Sequence, residues 1–228
     1  MSLPEFLTTK EYLSWLIENL SVDHDNTISD TKGIVATKFN QEFKTDHQTS
    51  EINRYRSLAD WCLSLGMNED EALAVNHRYW YDQKLINQAE PKSGAVEFLK
   101  KANRVGRLII NSSRPFEQRE STITWYKEHM PFIKPEQIVV GLPDVVIPGD
   151  AFSQAVSKVW VVRLFGCRAH VEDVVSHAKL ILDHTNAFVF LLSDDASLDR
   201  RYQTRLMRFG GIGNQPPGMT MLNQLFFP

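Results

Sequence analysis

The sequence predicts a three-layer α/β fold, a parallel β-sheet covered by helices on both faces, with a small helical cap inserted after the first strand. Three observations predict it. Beyond Pro91, short apolar runs alternate with amphipathic segments, the pattern of strands and helices wound right-handedly into a parallel sheet. Residues 29–90 read mostly as helix. Polar residues able to do chemistry follow predicted strand ends or helix starts, at the edge where open parallel sheets bind ligands. The expected domains are a core of residues 1–28 with 91–228 and a helical cap of residues 29–90.

Residues 4–20 read as a helix, with Thr8 and Glu11 as a capping box and Leu13, Leu16, Ile17 and Leu20 on one face. A first strand must end at Val22. Only Leu20 and Val22 are apolar there, a poorer run than a buried parallel strand usually shows. In the insert, Ser57 to Leu65 reads as a helix stopped by Gly66, and Asn68 caps a second with an acidic first turn. Tyr79, Trp80 and Tyr81 read as packing between short helices more readily than as a pocket lining. Residues 93–102 form an amphipathic helix, 107–110 a buried strand, 118–130 a helix and 137–140 a third strand. A loop with Gly141, Pro143, Pro148 and Gly149 follows, with room for a hairpin. Then come helix 157–164, strand 168–171, helix 176–182 and strand 187–192. From Gly210 the chain is rich in Gly, Pro and Asn and reads as irregular. Gly210-Gly-Ile-Gly213 lacks the third glycine and the strand-to-helix setting of a dinucleotide loop.

Composition bounds the function classes. A chain of 228 residues, 43% hydrophobic and 23% charged, suits one large domain or a domain with an insertion. A formal net charge of -3 gives no basic excess to draw the chain to nucleic acid or anionic membrane. Cys62 and Cys167 lie far apart and read as free thiols of a reducing compartment. No signal peptide or membrane-length apolar run is seen, so the expected location is cytoplasmic. The sequence says nothing of oligomeric state.

The stretch with the most chemistry is Val22-Asp23-His24-Asp25-Asn26-Thr27-Ile28. If Val22 ends a buried strand, Asp23 and Asp25 project to the same side as the chain leaves the sheet. Such a pair can hold a hard cation such as magnesium, and one carboxylate can carry a phosphoryl group. Asp-rich turns often only turn. An EF-hand loop counted from Asp23 would need Gly and Glu where Ile28 and Ile34 stand, so that reading fails. Downstream come Ser112, Lys158 and the pair Glu172 and Asp173, each after a predicted strand end or on a helix. Two carboxylates, a hydroxyl, a cation and a metal meet the needs of phosphoryl transfer, whose catalysis is largely positioning and charge neutralisation.

Over residues 20–195 the sequence resembles the haloacid dehalogenase superfamily of phosphatases, whose core is Rossmann-like. Asp23-His-Asp-Asn-Thr27 fits that superfamily's Asp-x-Asp-x-Thr signature, with Asn26 where Gly is common. Ile109-Ile-Asn-Ser-Ser-Arg-Pro115 is similar to its second motif, Lys158 to its third and Val171-Glu-Asp173 to its fourth. The resemblance implies Asp23 as nucleophile and Asp25 as general acid and base. It implies Mg2+ held by Asp23, the Asp25 backbone carbonyl and Asp173, with Ser112 and Lys158 on the phosphoryl oxygens. Thr27, Ser113, Arg114 and Glu172 support them. The cap and the approach to the second strand are similar to the nucleotidase-like branch, which includes 5'(3')-deoxyribonucleotidases.

The expected activity is a Mg-dependent phosphomonoesterase acting through an aspartyl phosphate on a small soluble phosphate ester, for example a nucleoside monophosphate. Arg54, Arg56, His77, Arg78 and Tyr81 are the cap's candidates for substrate contact. A nucleic-acid end phosphatase is the alternative, with Arg200, Arg201, Arg205 and Arg208 as its basic cluster, although a solvated helix face explains those arginines equally. A non-catalytic binding protein on the same fold is the third reading.

Overall fold

The computed structural model describes residues 9–52, 55–142, 150–210 and 218–228. The chain divides into two compact units, one of Met1–Ile28 with Pro91–Pro228 and one of Ser29–Glu90.

The larger unit is built on six parallel strands: β1 (Asn19–Val22), β2 (Arg107–Ser112), β3 (Ile138–Val140), β4 (Ala169–Glu172), β5 (Phe188–Leu191) and β6 (Leu206–Arg208), in the order β3-β2-β1-β4-β5-β6. The order reverses at β1, so the crevice beyond the ends of β2, β1 and β4 is the switch point of the sheet. Strand side chains alternate between the faces. Leu20, Val22, Leu108, Ile110, Val171 and Phe190 bury one face with α1 (Lys10–Ile17), α6 (Ala95–Val105), α7 (Arg119–His129) and α11 (Gly218–Phe226). Ile109, Val189 and Leu191 bury the other with α8 (Ala151–Leu164), α9 (Val175–His184) and α10 (Asp199–Tyr202). The predicted three-layer Rossmann-like sheet is therefore present.

Several elements differ from the sequence reading, most of them by one to three residues at an end and a few by more. The first helix ends at Ile17, not at residue 20. It is capped by Thr9, whose side chain accepts the Tyr12 N–H, while Thr8 lies outside the described residues. Leu20 belongs to β1. That strand tolerates a buried Ser21 because the hydroxyl bonds His170 Nδ1 at 2.9 Å on the neighbouring strand. Helix α8 begins six residues before the predicted start, where Asp150 caps it by accepting the N–H groups of Phe152 and Ser153. The C-terminal stretch contains α11, which buries Met219 and Leu222 in the core, although Gly, Pro and Asn dominate the composition around it. Strand β6 has no counterpart in the sequence reading, and of the helix face offered for Arg200, Arg201, Arg205 and Arg208 only the short α10, with Arg200 and Arg201, is helical. The loop region 143–149 lies outside the described residues, and so does most of the 210–213 glycine run.

The smaller unit contains α2 (Thr31–Phe43), α3 (Ser57–Ser64), α4 (Glu69–Tyr81) and α5 (Gln83–Ile86). Gly66, at φ +88°, ends the α3 region in a conformation that glycine adopts without penalty. Asn68 and Glu71 form a reciprocal capping box on α4. Val35, Phe39, Leu58, Cys62, Ala72 and Tyr79 fill its core, and the Tyr79 hydroxyl donates to Glu42 at 2.7 Å. The Trp80 indole N–H donates to the Tyr55 carbonyl at 3.0 Å, and Tyr81 stacks on His77. Tyr79 is core packing, as expected, whereas Trp80 and Tyr81 are only half-buried. Cys62 and Cys167 are both free and buried.

Candidate active site

The parallel register sets the site. Val22 pairs with Ile110 on β2 and Val171 on β4, so Asp23 leaves the sheet level with Asn111 and Glu172, and Ser112 follows one residue later at the end of β2. The Asp23 N–H donates to the Val171 carbonyl at 2.9 Å and holds the departing chain against β4. Asn26 stands at φ +62°, in the left-handed region. That explains a preference for Gly there, and why Asn, which tolerates the region better than other side chains, is accepted.

Lys158 is the centre of the arrangement. It is 1% exposed on α8, and its Nζ lies 2.7 Å from Asp23 Oδ1 and 2.7 Å from Glu172 Oε2. Its helix is fixed beside β2 by Asn111, whose side-chain amide donates to the Lys158 carbonyl at 3.2 Å. Thr27 Oγ1 lies 3.3 Å from Asp23 Oδ2 and 3.5 Å from Asp173 Oδ1, between the two carboxylates. Asp23, Glu172 and Asp173 place carboxylate oxygens within 4.8 Å of one another.

Glu172 is held differently from the other two. Its Oε2 takes the Lys158 ammonium and His170 Nε2, and its Oε1 takes the N–H groups of Asp173 and Val174. A carboxylate offers about four lone pairs, and here all are engaged. His170 must donate through Nε2 to this carboxylate, so its Nδ1 accepts from the Ser21 hydroxyl. Burial lowers the His170 pKa and favours the neutral ring this bonding requires. His177 Nδ1 stands 3.8 Å from Glu172 Oε1.

The electrostatics divide the carboxylates. Burial, reinforced by Glu172 and Asp173 and opposed by Lys158, holds Asp23 well above the usual carboxylate range. Burial would raise Glu172 too, but Lys158, His170 and His177 outweigh it and hold it well below. Burial would lower the Lys158 ammonium, yet the two carboxylates keep it above its ordinary value. Three carboxylates against one ammonium leave two negative charges, which a divalent cation would balance. Hard oxygen donors of this number suit magnesium, and the fully hydrogen-bonded Glu172 leaves Asp23 and Asp173 as the side chains with capacity to bind it.

Asp25 is held by a different cation. Arg114, buried on the loop after β2, takes both its oxygens, with Nε at 3.2 and 2.9 Å and Nη2 at 2.7 Å. Ser112 is buried at the end of β2, and its Oγ accepts the Arg114 N–H at 3.2 Å. Ser113 follows it, half-buried. In the smaller unit, Arg56 pairs with Glu69 and Arg78 with Glu42, each at 2.6 Å, so either must give up an ion pair to meet a substrate. Arg54 lies outside the described residues. The proposed nucleic-acid cluster is largely engaged: Arg201 bonds Asp183, Arg205 donates to the Thr185 and Leu182 carbonyls, and Arg208 bonds Asp199.

Sequence reasoning missed Ser21, His24, Thr122, Tyr126 and His170. Ser21 and His170 had a signal: each sits two residues before an acidic residue and shares its side of the strand. His24 is fully buried under the motif, with Nδ1 2.9 Å from the Tyr126 hydroxyl and its ring edge-on to Trp125. Burial and then the Arg114 charge lower its pKa from 6.5 to about 3. Between these values the unfolded chain binds a proton that the folded chain refuses, so stability falls as pH drops from 6.5 toward 3, by on the order of 5 kcal/mol across the window. Denaturant unfolding from pH 7 to 4 checks this: His24→Asn should flatten the slope, and equal slopes for both proteins would refute the assignment.

Comparison with known proteins agrees with the geometry. The family described as 5' nucleotidase, deoxy (pyrimidine), cytosolic type C protein matches residues 17–159, more than half of the chain. Glu172 and Asp173 lie beyond that match and are placed by the fold. No curated protein matches in sequence. Among solved structures, a HAD family hydrolase from Deinococcus radiodurans, with bound phosphate and sodium, is 17% identical with a TM-score of 0.54, over 84% of this chain and 90% of that one. A haloacid dehalogenase-like family hydrolase from Streptococcus pneumoniae is 12% identical with a TM-score of 0.56, over 90% and 96%. The YfnB protein of Bacillus subtilis, bound to magnesium, is 12% identical with a TM-score of 0.50, over 92% and 98%. These three share the fold. The chain belongs to the cytosolic type C 5' nucleotidase family, in the nucleotidase branch of the haloacid dehalogenase superfamily of phosphatases.

Proposed function

We propose that the protein is a magnesium-dependent phosphomonoesterase that works through an aspartyl phosphate on Asp23, with a nucleoside monophosphate, a pyrimidine deoxynucleotide first, as its substrate. The observation that carries this reading is the buried Lys158 bridging Asp23 and Glu172 where three carboxylates converge. Asp23 attacks phosphorus, Asp25 gives a proton to the departing alcohol and later takes one from the attacking water, and Lys158 and Ser112 hold the phosphoryl oxygens. Asp23, Asp173 and the Asp25 carbonyl would hold Mg2+, which when bound neutralises charge on the transferring group. Glu172 keeps Lys158 charged and pointed at Asp23. Within the insert of residues 29–90, the stacked His77 and Tyr81 are the residues proposed to meet a nucleobase.

The family match names a nucleotidase acting on pyrimidine deoxynucleotides, and the solved structures with bound phosphate or magnesium are consistent with the chemistry. No helix among the described residues is long and apolar enough to cross a membrane.

Phosphate release from a panel of nucleoside monophosphates and sugar phosphates, with magnesium and with chelator, tests the reading. Independently of turnover, saturating magnesium should raise folding stability by about 2–3 kcal/mol at a hundredfold excess over its Kd. Chelator should remove that gain, and Asp173→Asn should reduce it. Chelator-insensitive turnover with no shift in the melting curve would exclude the metal.

A further inference from the structure

The second carboxylate of the motif is aimed by a chain of contacts that leads to α7. Arg114 has its backbone N–H fixed on Ser112 Oγ and its guanidinium buried. Two of its nitrogens take Asp25, and the third, Nη1, donates to Thr122 Oγ1 at 3.2 Å. The Thr122 hydroxyl has one proton, and that proton goes to the Gln118 carbonyl at 2.9 Å. Its oxygen is thereby left to accept from Arg114. One turn further along the helix, Tyr126 meets His24. Residues 122 and 126 lie one turn apart on α7, so one side of that helix faces the motif loop. A planar fork held at both ends fixes the plane of the carboxylate it grips. A lysine could neutralise Asp25 but not fix its plane.

We propose that Arg114 is a positioning residue that aims the Asp25 carboxyl at the leaving-group oxygen, and that Thr122 sets Arg114. The proposal rests on the phosphoryl-transfer reading above. In the first half-reaction an Asp23 oxygen bonds to phosphorus, the ester P–O bond breaks, and its electron pair stays on the leaving oxygen, which takes the proton from Asp25. In the second, a water oxygen bonds to phosphorus, Asp25 takes the water's proton, and the Asp23–phosphorus bond breaks with its pair returning to Asp23. Only the first half-reaction enters kcat/KM when formation of the phosphoryl-enzyme is irreversible. An alkoxide needs the proton in order to leave, whereas 4-nitrophenolate does not.

The test compares kcat/KM for thymidine 5'-monophosphate and for 4-nitrophenyl phosphate in wild type, Arg114→Lys and Thr122→Val, each confirmed folded by its melting curve. Arg114→Lys should lose roughly 10²–10³-fold on the nucleotide, the scale of general-acid catalysis, and less than about tenfold on the aryl ester. Thr122→Val should show the same asymmetry at a smaller factor, and it keeps the proposal testable if the Arg114 variant does not fold. Equal losses on both esters, or a loss confined to KM, would overturn the positioning role alone. Wild-type inactivity on both esters, or turnover that survives Asp23→Asn, would overturn the underlying reading and this proposal with it.

Discussion

Asp23→Asn should lower phosphate release from every ester by on the order of 10⁴-fold or more, the scale on which removing a covalent nucleophile acts, while leaving the fold intact. The carboxamide keeps the shape, can face its one acceptor oxygen to Lys158 and its NH2 group to the Thr27 oxygen, but cannot form the acyl phosphate. Stability should stay within about 1 kcal/mol of wild type, because two effects oppose. Lys158 loses one partner and keeps Glu172 at 2.7 Å. In exchange, the buried repulsion of Asp23 with Glu172 and Asp173, which raises the Asp23 pKa, disappears. The variant should also lose most of the magnesium-induced stabilisation, since one anionic ligand has become neutral. Inorganic phosphate release, thermal melting and magnesium titration of the two proteins check all three expectations. Substantial turnover in a folded variant would remove Asp23 from its role.

The motif residues that the sequence brings into view are those whose neighbours in sequence also act with them. Asp23, Asp25 and Thr27 sit in one turn, and Glu172 and Asp173 are adjacent, so their clustering is visible without a structure. Their partners are not: Ser21 and His170 are 149 residues apart, and His24 and Tyr126 are 102 apart, joined only by the strand order and the packing of α7. The same physics explains the misread elements. Strand β1 looks weak because a buried serine scores as polar, although its hydroxyl is satisfied across the sheet. Strand β6 covers three residues, the last of them Arg208, too few for a period to emerge. Helix α11 is concealed by the Gly, Pro and Asn around it, and its stability comes from burying Met219 and Leu222, a tertiary contribution that composition does not carry. Strand β5 was legible because both faces of the sheet are covered and its run is wholly apolar, and β2 because its Leu108–Ile110 segment is.

Lys158→Met should destabilise the fold at pH 7 by about 3–5 kcal/mol and abolish turnover, because it leaves two buried carboxylates without their cation. The size of the loss follows from what remains. Glu172 is fully buried and keeps only neutral donors, so its carboxylate charge loses the partner that opposed desolvation. The pH dependence separates this from a simple packing defect. In wild type the Glu172 pKa lies well below its ordinary 4.5, so its contribution is present above that value and is lost as pH falls through the folded pKa. Without Lys158 the carboxyls of Asp23 and Glu172 both rise, protonation relieves the burial cost, and the gap between variant and wild type narrows as pH falls toward 4. A packing defect would keep the gap constant. Adding Glu172→Gln to Lys158→Met removes one of the orphaned charges and should recover part of the loss, giving a coupling of about 1–3 kcal/mol in a double-mutant cycle. Denaturant unfolding of the four proteins at pH 7 and at pH 4.5 measures both quantities. A gap independent of pH together with no coupling would mean that Lys158 stabilises the fold by its packing and not by its charge.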